Sequence, residues 1–209
     1  MPANFQVPSV VAEPGNTGDM EQSLCRSCGF CCDGTLFSSV SVCDLDAVTP
    51  LVTAGIRIVA HDAQRSFMQP CAAHDGLSCE VYADRPSNCR EFRCKLLVDL
   101  ESGAVDRPYA LARVRQVFAL KEAVREELQR IDPALVGTSL AELRKKWTSA
   151  DDAAESLVLR RKYGPALMCM VALAWYLEQH FFSNNAAEDA SGELSEKPSN
   201  TAVLQTTRE

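Results

Sequence analysis

Apolar positions along this chain change period near its middle, and that change divides it. From Asp106 onward the spacing is helical. Leu111, Val114, Val117, Phe118, Leu120, Val124, Leu128 and Ile131 recur three or four apart, which marks one face of a long helix. Pro108 suits its first turn, and Asp132-Pro133 stops it. A second helix is predicted from Ser139 and Glu142 at capping-box spacing, with Leu140, Leu143 and Trp147 on one side. A third is predicted from about Asp151 to Tyr163. Gly164-Pro165 then breaks the chain and opens a fourth, apolar nearly all round, to about Phe182.

Before residue 106 the pattern is short and irregular. Leu36 to Val42 predicts a short strand, and Ile56, Ile58 and Val59 another. Asp44 to Ala54 predicts a helix capped by Asp44, with Leu45, Val48, Leu51 and Val52 inward, Gly55 at its end, and Pro50 as a kink. Residues 1–22 hold Pro2, Pro8, Pro14, Gly15 and Gly18 without periodicity and read as a flexible leader. Residues 183–209, largely Ser, Asn, Ala, Glu and Thr, read as a disordered tail. The expected organisation is a leader over 1–22, a cysteine-rich module over 23–105, a helical region over 106–182 and a tail over 183–209. The expected fold class is α+β, mostly helical: a small, irregular Cys-rich module packed with a C-terminal helical layer.

Composition changes this picture in one respect. At 209 residues, with 46% hydrophobic and 23% charged residues, the chain is ordinary for a globular protein. Its ten cysteines are not ordinary: nine of them lie between residues 25 and 94. Disulfides belong to oxidising compartments. Met1 to Gly18 shows neither a basic n-region nor an apolar run of signal-peptide length. Cysteines grouped this densely in a chain expected to be cytoplasmic therefore read as metal ligands. The formal net charge of −7 argues against general nucleic-acid binding, which needs basic surface to displace counterions from phosphate. The longest apolar run, Ala166 to Leu177, is shorter than the about 20 residues a membrane span requires. The partners expected are a metal ion and a protein partner through the helical face, with neither nucleic acid nor membrane.

The metal-ligating pattern has two halves. The first, Cys25-Arg26-Ser27-Cys28-Gly29-Phe30-Cys31-Cys32, makes successive C-x2-C steps, the spacing that lets a tight turn aim several sulfurs at one centre in zinc and iron–sulfur sites. Gly29 supplies backbone freedom in that turn. Side chains of the adjacent pair Cys31-Cys32 diverge, so using both calls for two centres, or one cluster plus a further ligand. The second half comprises Cys71, Cys79, Cys89 and Cys94. Arg26, Arg85, Arg90, Arg93 and Lys95 crowd these cysteines, and guanidinium groups offset the negative charge of thiolate sites. His74, three residues after Cys71, is an alternative ligand in a mixed site. Cys43 and Cys169 fall outside the pattern and read as small buried hydrophobes. His61 and His180 read as surface or packing residues. Arg144-Lys145-Lys146 and Arg160-Arg161-Lys162 read as solvated helix faces.

The full motif is C-x2-C-x2-C-C, then Pro70-Cys71, then C-x2-Y-x2-R-P-x2-C-R-x-F-x-C. Over about residues 23–100 it resembles the CxxCxxCC, or YkgJ-type, cysteine-cluster family, a zinc- or iron-chelating domain. The resemblance implies Cys25, Cys28, Cys31, Cys32, Cys71, Cys79, Cys89 and Cys94 as chelators, with Tyr82, Arg85, Pro86, Arg90 and Phe92 as their supporting frame. It is also distantly similar to the cysteine cluster of flagellin lysine N-methylase.

Eight thiolates satisfy two tetrahedral zinc ions, or a four-iron cluster with four ligands to spare. The ferredoxin pattern is broken: Cys32 follows Cys31 directly, Thr35 holds the place of the fourth cysteine, and no proline follows. The cofactor is expected to be zinc or an iron–sulfur cluster. The function expected is a metal-binding module. The alternatives are a protein-lysine N-methyltransferase-like enzyme, against which stands the absence of a G-x-G-x-x-G loop, and a redox or electron-transfer protein.

Overall fold

The structure, a computed structural model, describes residues 24–61, 64–76, 78–148 and 153–182. The leader and the tail expected over 1–22 and 183–209 lie outside the described residues, as does the side chain of His61.

The fold is mostly helical with one small antiparallel sheet, the α+β class expected. Helix α1, described over 24–28, leads into a turn holding Gly29 to Leu36. Strand β1 (Ser39–Val42), helix α2 (Val48–Thr53) and strands β2 (Ile58–His61) and β3 (Gln64–Met68) follow. The sheet order is β1-β3-β2, with both pairings antiparallel. In this register Val40 and Ile58 flank Phe67, so one face of the alternating Ser-Val-Ser-Val strand turns inward. Short helices α3 (Ser87–Glu91) and α4 (Lys95–Glu101) lead to α5 (Arg107–Ile131), α6 (Leu140–Thr148) and α7 (Ala153–His180).

Among the described residues, two hydrophobic clusters divide the interior. The larger joins Phe30 and Leu36 to α4, α5, α6 and α7. The smaller, under the sheet, has Val42, Leu51, Ile56, Phe67, Ala73 and Val81 as its buried members.

The helical half follows its sequence signals closely. Asp106 caps α5 by accepting from the Tyr109 amide at 2.9 Å. Val114, Val117, Val124 and Leu128 are buried on its expected face. The Ser139 hydroxyl caps α6, accepting from the Glu142 amide at 3.3 Å and donating to the Gly34 carbonyl at 2.8 Å. The break expected at Gly164-Pro165 appears as a kink: α7 is one element, with non-helical angles at Tyr163. Pro165 has no N–H for the helical ladder, so the chain bends there without ending.

The front half corrects several expectations. Helix α2 starts at Val48, with Ala47 rather than Asp44 at its N-cap. The Asp46 carboxylate accepts from the Cys43 amide at 2.8 Å and holds residues 43–46 in a turn, which delays the helix. Leu45 and Val52 are therefore exposed rather than inward, at 99% and 55%. Cys43 lies exposed in that turn rather than buried. Pro50 falls in the first turn of α2, where its missing N–H costs nothing, and no kink results. Arg144 is not a simple solvated residue: its guanidinium donates to the Leu36 carbonyl at 3.4 Å and lies 5.7 Å from the Phe182 ring. Among the described residues, no helix is long and apolar enough to cross a membrane.

Candidate metal centre

Each expected chelator is carried by a short, locally determined piece of backbone. Cys25 and Cys28 sit on α1 and Cys31-Cys32 on the turn after it. That turn is closed by Gly29 N–H donating to the Cys25 carbonyl and Cys32 N–H to the Gly29 carbonyl, both at 2.9 Å. Gly29 has φ +68°, a left-handed conformation that admits the tight reversal, and a Cβ there would lie 3.0 Å from the His74 imidazole. Cys71 follows Pro70, and its amide donates to the Cys32 carbonyl at 2.8 Å. This bond ties the two halves of the motif together. Cys79 is held by a bridge to His74. Cys89 lies on α3, and Cys94 is the residue preceding α4.

All ten cysteines are thiols, none joined in a disulfide. The eight motif cysteines line one cavity, with His74, Tyr82, Arg85, Pro86, Arg90 and Phe92 in its wall.

Their mutual influence sorts them into two groups. Burial pushes the Cys28 thiol well above its ordinary value, and Cys94 and Cys25 add to the effect. Burial does the same at Cys31, reinforced by Cys28, Cys94, Cys32 and Cys25. Cys32 is pushed up to about 12 by burial and then by Cys71, Cys79 and Cys89. Cys89 is likewise pushed up to about 12 by burial, then by Cys71 and Cys79. One set is thus Cys25, Cys28, Cys31 and Cys94; the other is Cys32, Cys71, Cys79 and Cys89. Among these influences only that of Cys32 on Cys31 crosses between sets, as neighbouring residues must. The groups are not the two halves of the motif: Cys94 joins the early cysteines and Cys32 the late ones. Among the described residues, no three His, Cys, Asp or Glu side chains are drawn into a closed ligand arrangement as they stand.

The donor set fits a thiophilic metal. Buried thiols that oppose one another's ionisation become thiolates when a cation joins them. The surroundings already favour the thiolate where they can. The Phe30 amide acts on Cys28, Ala73 on Cys71, Val81 on Cys79, and Leu96 and Leu97 on Cys94, each lowering a value that burial raises.

The supporting residues have distinct tasks. The Arg85 guanidinium stacks 3.7 Å from the Tyr82 ring centroid, and its Nε donates to the Tyr82 carbonyl at 3.1 Å. In that position its charge favours ionised Cys79 and Cys89. Tyr82, 38% exposed, serves as a platform for Arg85. Pro86 is buried at the start of α3. Arg90 turns toward Ser87 and Asp46, at 3.3 and 3.9 Å. Phe92 packs edge-on against Phe37 with centroids 4.8 Å apart. Arg93 pairs with Glu101 and Lys95 with Asp99.

Three residues that matter here were not singled out in the sequence. Asp46 accepts from both the amide and the hydroxyl of Ser87, at 2.9 and 2.7 Å, and so anchors the helix bearing Cys89 to the turn after β1. Burial works against its carboxylate, but Ser87, the Cys43 amide and Arg90 together hold it below its ordinary range. Asp33 and Lys121 form an ion pair directly behind the Cys31-Cys32 turn. Only the position of Asp33, next to Cys32, hinted at such a role. Cys169 packs beside the main core, far in sequence from the motif.

Comparison with known proteins agrees with the donor chemistry. No curated protein and no solved structure matches the chain. Residues 24–111, which hold all eight of these thiols, match the model of the CxxCxxCC family, described as "Putative zinc- or iron-chelating domain".

Proposed function

We propose that this protein is a metal-chelating module with two four-thiolate centres, one formed by Cys25, Cys28, Cys31 and Cys94, the other by Cys32, Cys71, Cys79 and Cys89. The observation that carries the reading is that eight thiols line one cavity and fall, by their mutual influence, into two sets of four. Four thiolates complete the coordination of a zinc ion, and they equally hold a four-iron cluster. A centre with four protein ligands leaves no position for a substrate, so the metal acts by closing the fold. Its binding energy and the folding energy of the cysteine-rich segment are then one quantity.

The test compares Cys31→Ser with Cys32→Ser, two adjacent substitutions assigned to different centres. Metal content and absorption are measured on anaerobically purified protein. Each variant should lose about half the bound metal and keep the rest. A folded variant that loses all its metal, or two variants that lose the same centre, would refute the division. Visible absorption with iron identifies a cluster; a colourless protein holding about two zinc ions per chain identifies zinc.

A further inference from the structure

Seven of the eight motif cysteines are partly buried, and Cys25 is the exposed one. The other three thiols of its set, Cys28, Cys31 and Cys94, pack against the larger core. The backbone at Cys25 is nevertheless fixed. Leu24, just before it, is buried in that core with 3% exposure, and the Cys25 carbonyl accepts from the Gly29 amide at 2.9 Å. The Cys25 sulfur can therefore turn outward by rotation about one side-chain bond, leaving the turn intact. Its three companions cannot withdraw without disturbing close-packed core. Arg26, also exposed, lines the same cavity and offers a cation to an anionic donor arriving there.

Resting on the two-centre reading above, we infer that Cys25 is the exchange position of the first centre, where it yields to the thiolate of a small external thiol. The step is a ligand substitution: the bond from metal to Cys25 Sγ breaks as one from metal to the incoming sulfur forms. The incoming thiol gives up its proton, and the departing Cys25 thiolate takes one from water. Nothing is oxidised or reduced, and the metal keeps four sulfur ligands. The three sulfurs that remain are partly buried in the cavity wall, which suits a small thiol better than a cysteine fixed on another protein's surface. The second set has no such corner. Cys71, Cys79 and Cys89 pack on the cluster under the sheet, and Cys32 is partly buried in the turn. One centre thus takes up and gives up its metal at Cys25, while the other stays closed.

The test treats the full-length, metal-loaded protein with limiting N-ethylmaleimide under anaerobic conditions. Peptide masses follow each cysteine, and the metal retained is measured alongside. Cys25 should be modified at least about tenfold faster than any other motif cysteine. Its adduct should keep the second centre's metal alone, about half of the total. Cys43, exposed but outside both sets, serves as the internal control, since its modification leaves both centres intact. A second measurement adds 2-mercaptoethanol to Cys25→Ser and to Cys31→Ser. The thiol should restore the lost metal to the first variant and not to the second, because only the exposed position admits an outside sulfur. Another motif cysteine reacting before Cys25 overturns the inference. So does a Cys25 adduct that keeps or loses all its metal, or rescue of both variants or of neither. The two-centre reading fails separately, when Cys31→Ser and Cys32→Ser lose the same metal. If those two lose different metal and Cys25 is not first to react, only the exchange position is wrong.

Discussion

Lys121, only 2% exposed, extends from α5 to pair with Asp33, the residue immediately after the Cys31-Cys32 pair. Its ammonium also lies 4.8 Å from the Phe30 ring centroid and 5.1 Å from that of Phe118. Burial lowers its affinity for a proton, and Asp33 opposes that effect. The other carboxylate oxygen of Asp33 accepts from the Thr35 amide at 2.9 Å. One ion pair thus fastens the thiol-bearing turn to α5 in the larger core. Removing one partner of a buried pair leaves the other uncompensated. Lys121→Ala should cost about 2–4 kcal/mol, with the partial exposure of Asp33 keeping it from the top of the range for such pairs. A double-mutant cycle with Asp33→Asn should give a coupling of at least about 1 kcal/mol in denaturant unfolding of the metal-loaded protein. Strictly additive effects would show that the pair contributes nothing of its own.

Three glycines with left-handed backbone provide a graded series. An added Cβ at Gly34 (φ +81°) would lie 2.8 Å from Ser139 Oγ and 3.2 Å from its Cα. At Gly29 it would lie 3.0 Å from the His74 ring, while at Gly103 (φ +75°) it meets nothing within 4 Å. Gly103→Ala should therefore cost only the backbone term, about 1 kcal/mol. Gly34→Ala should cost most, because the start of α6 must move. Gly29→Ala should fall between them, since an imidazole gives way more easily than a backbone. Denaturation midpoints in any other order would contradict this account.

Asp132 closes α5 and accepts from the Tyr163 hydroxyl at 2.7 Å and Lys162 Nζ at 2.9 Å. These two groups, Tyr163 first, hold its carboxyl below the ordinary value. A depressed carboxyl stabilises the fold above its unfolded value, about 3.9, and loses that contribution as pH falls through the folded value. The melting temperature of Asp132→Asn should lie below that of the wild type at pH 6. The gap should narrow steadily below about pH 4. A gap constant down to pH 3 would mean that the carboxylate charge is irrelevant at this corner.

Metal removal should act unevenly. Cys71, Cys79 and Cys89 pack on the small cluster under the sheet, whereas Cys28, Cys31 and Cys94 pack on the large one. A cluster with six buried members is too small to hold a sheet alone. Chelation should therefore erase amide-exchange protection in β1, β3 and α3 while α5 and α7 stay protected. Simultaneous loss in α5 and α7 would show that one cooperative unit spans both clusters.

Much of this was legible in local sequence. The Asp106 cap, the Ser139 cap and the Gly29 turn are determined by residues within a few positions of each other. The eight sulfurs, grouped in sequence by their short local spacings, line one cavity. The proposed division was not legible, because Cys94 comes to influence Cys28 only after the chain has passed through the sheet and back. Strand β3 went unforeseen: Gln64 to Met68 has one buried residue, Phe67, and becomes a strand by pairing on both sides. Lys121 read as one more charged helix residue, since its partner lies 88 positions away. Leu45 and Val52 failed in the opposite sense, as apolar residues with no core within reach.

The boundary at residue 111 has a practical consequence. It cuts through α5 a few residues into the helix. Phe30, at the centre of the first thiol-bearing loop, rests on the rings of Phe118 and Phe181, and the Lys95 amide donates to the Phe181 carbonyl at 3.0 Å. A fragment trimmed to the sulfur-rich portion would bare that aromatic ring to water and strand Asp33 without its cation. Anyone isolating the chelating portion should carry the chain through Phe182.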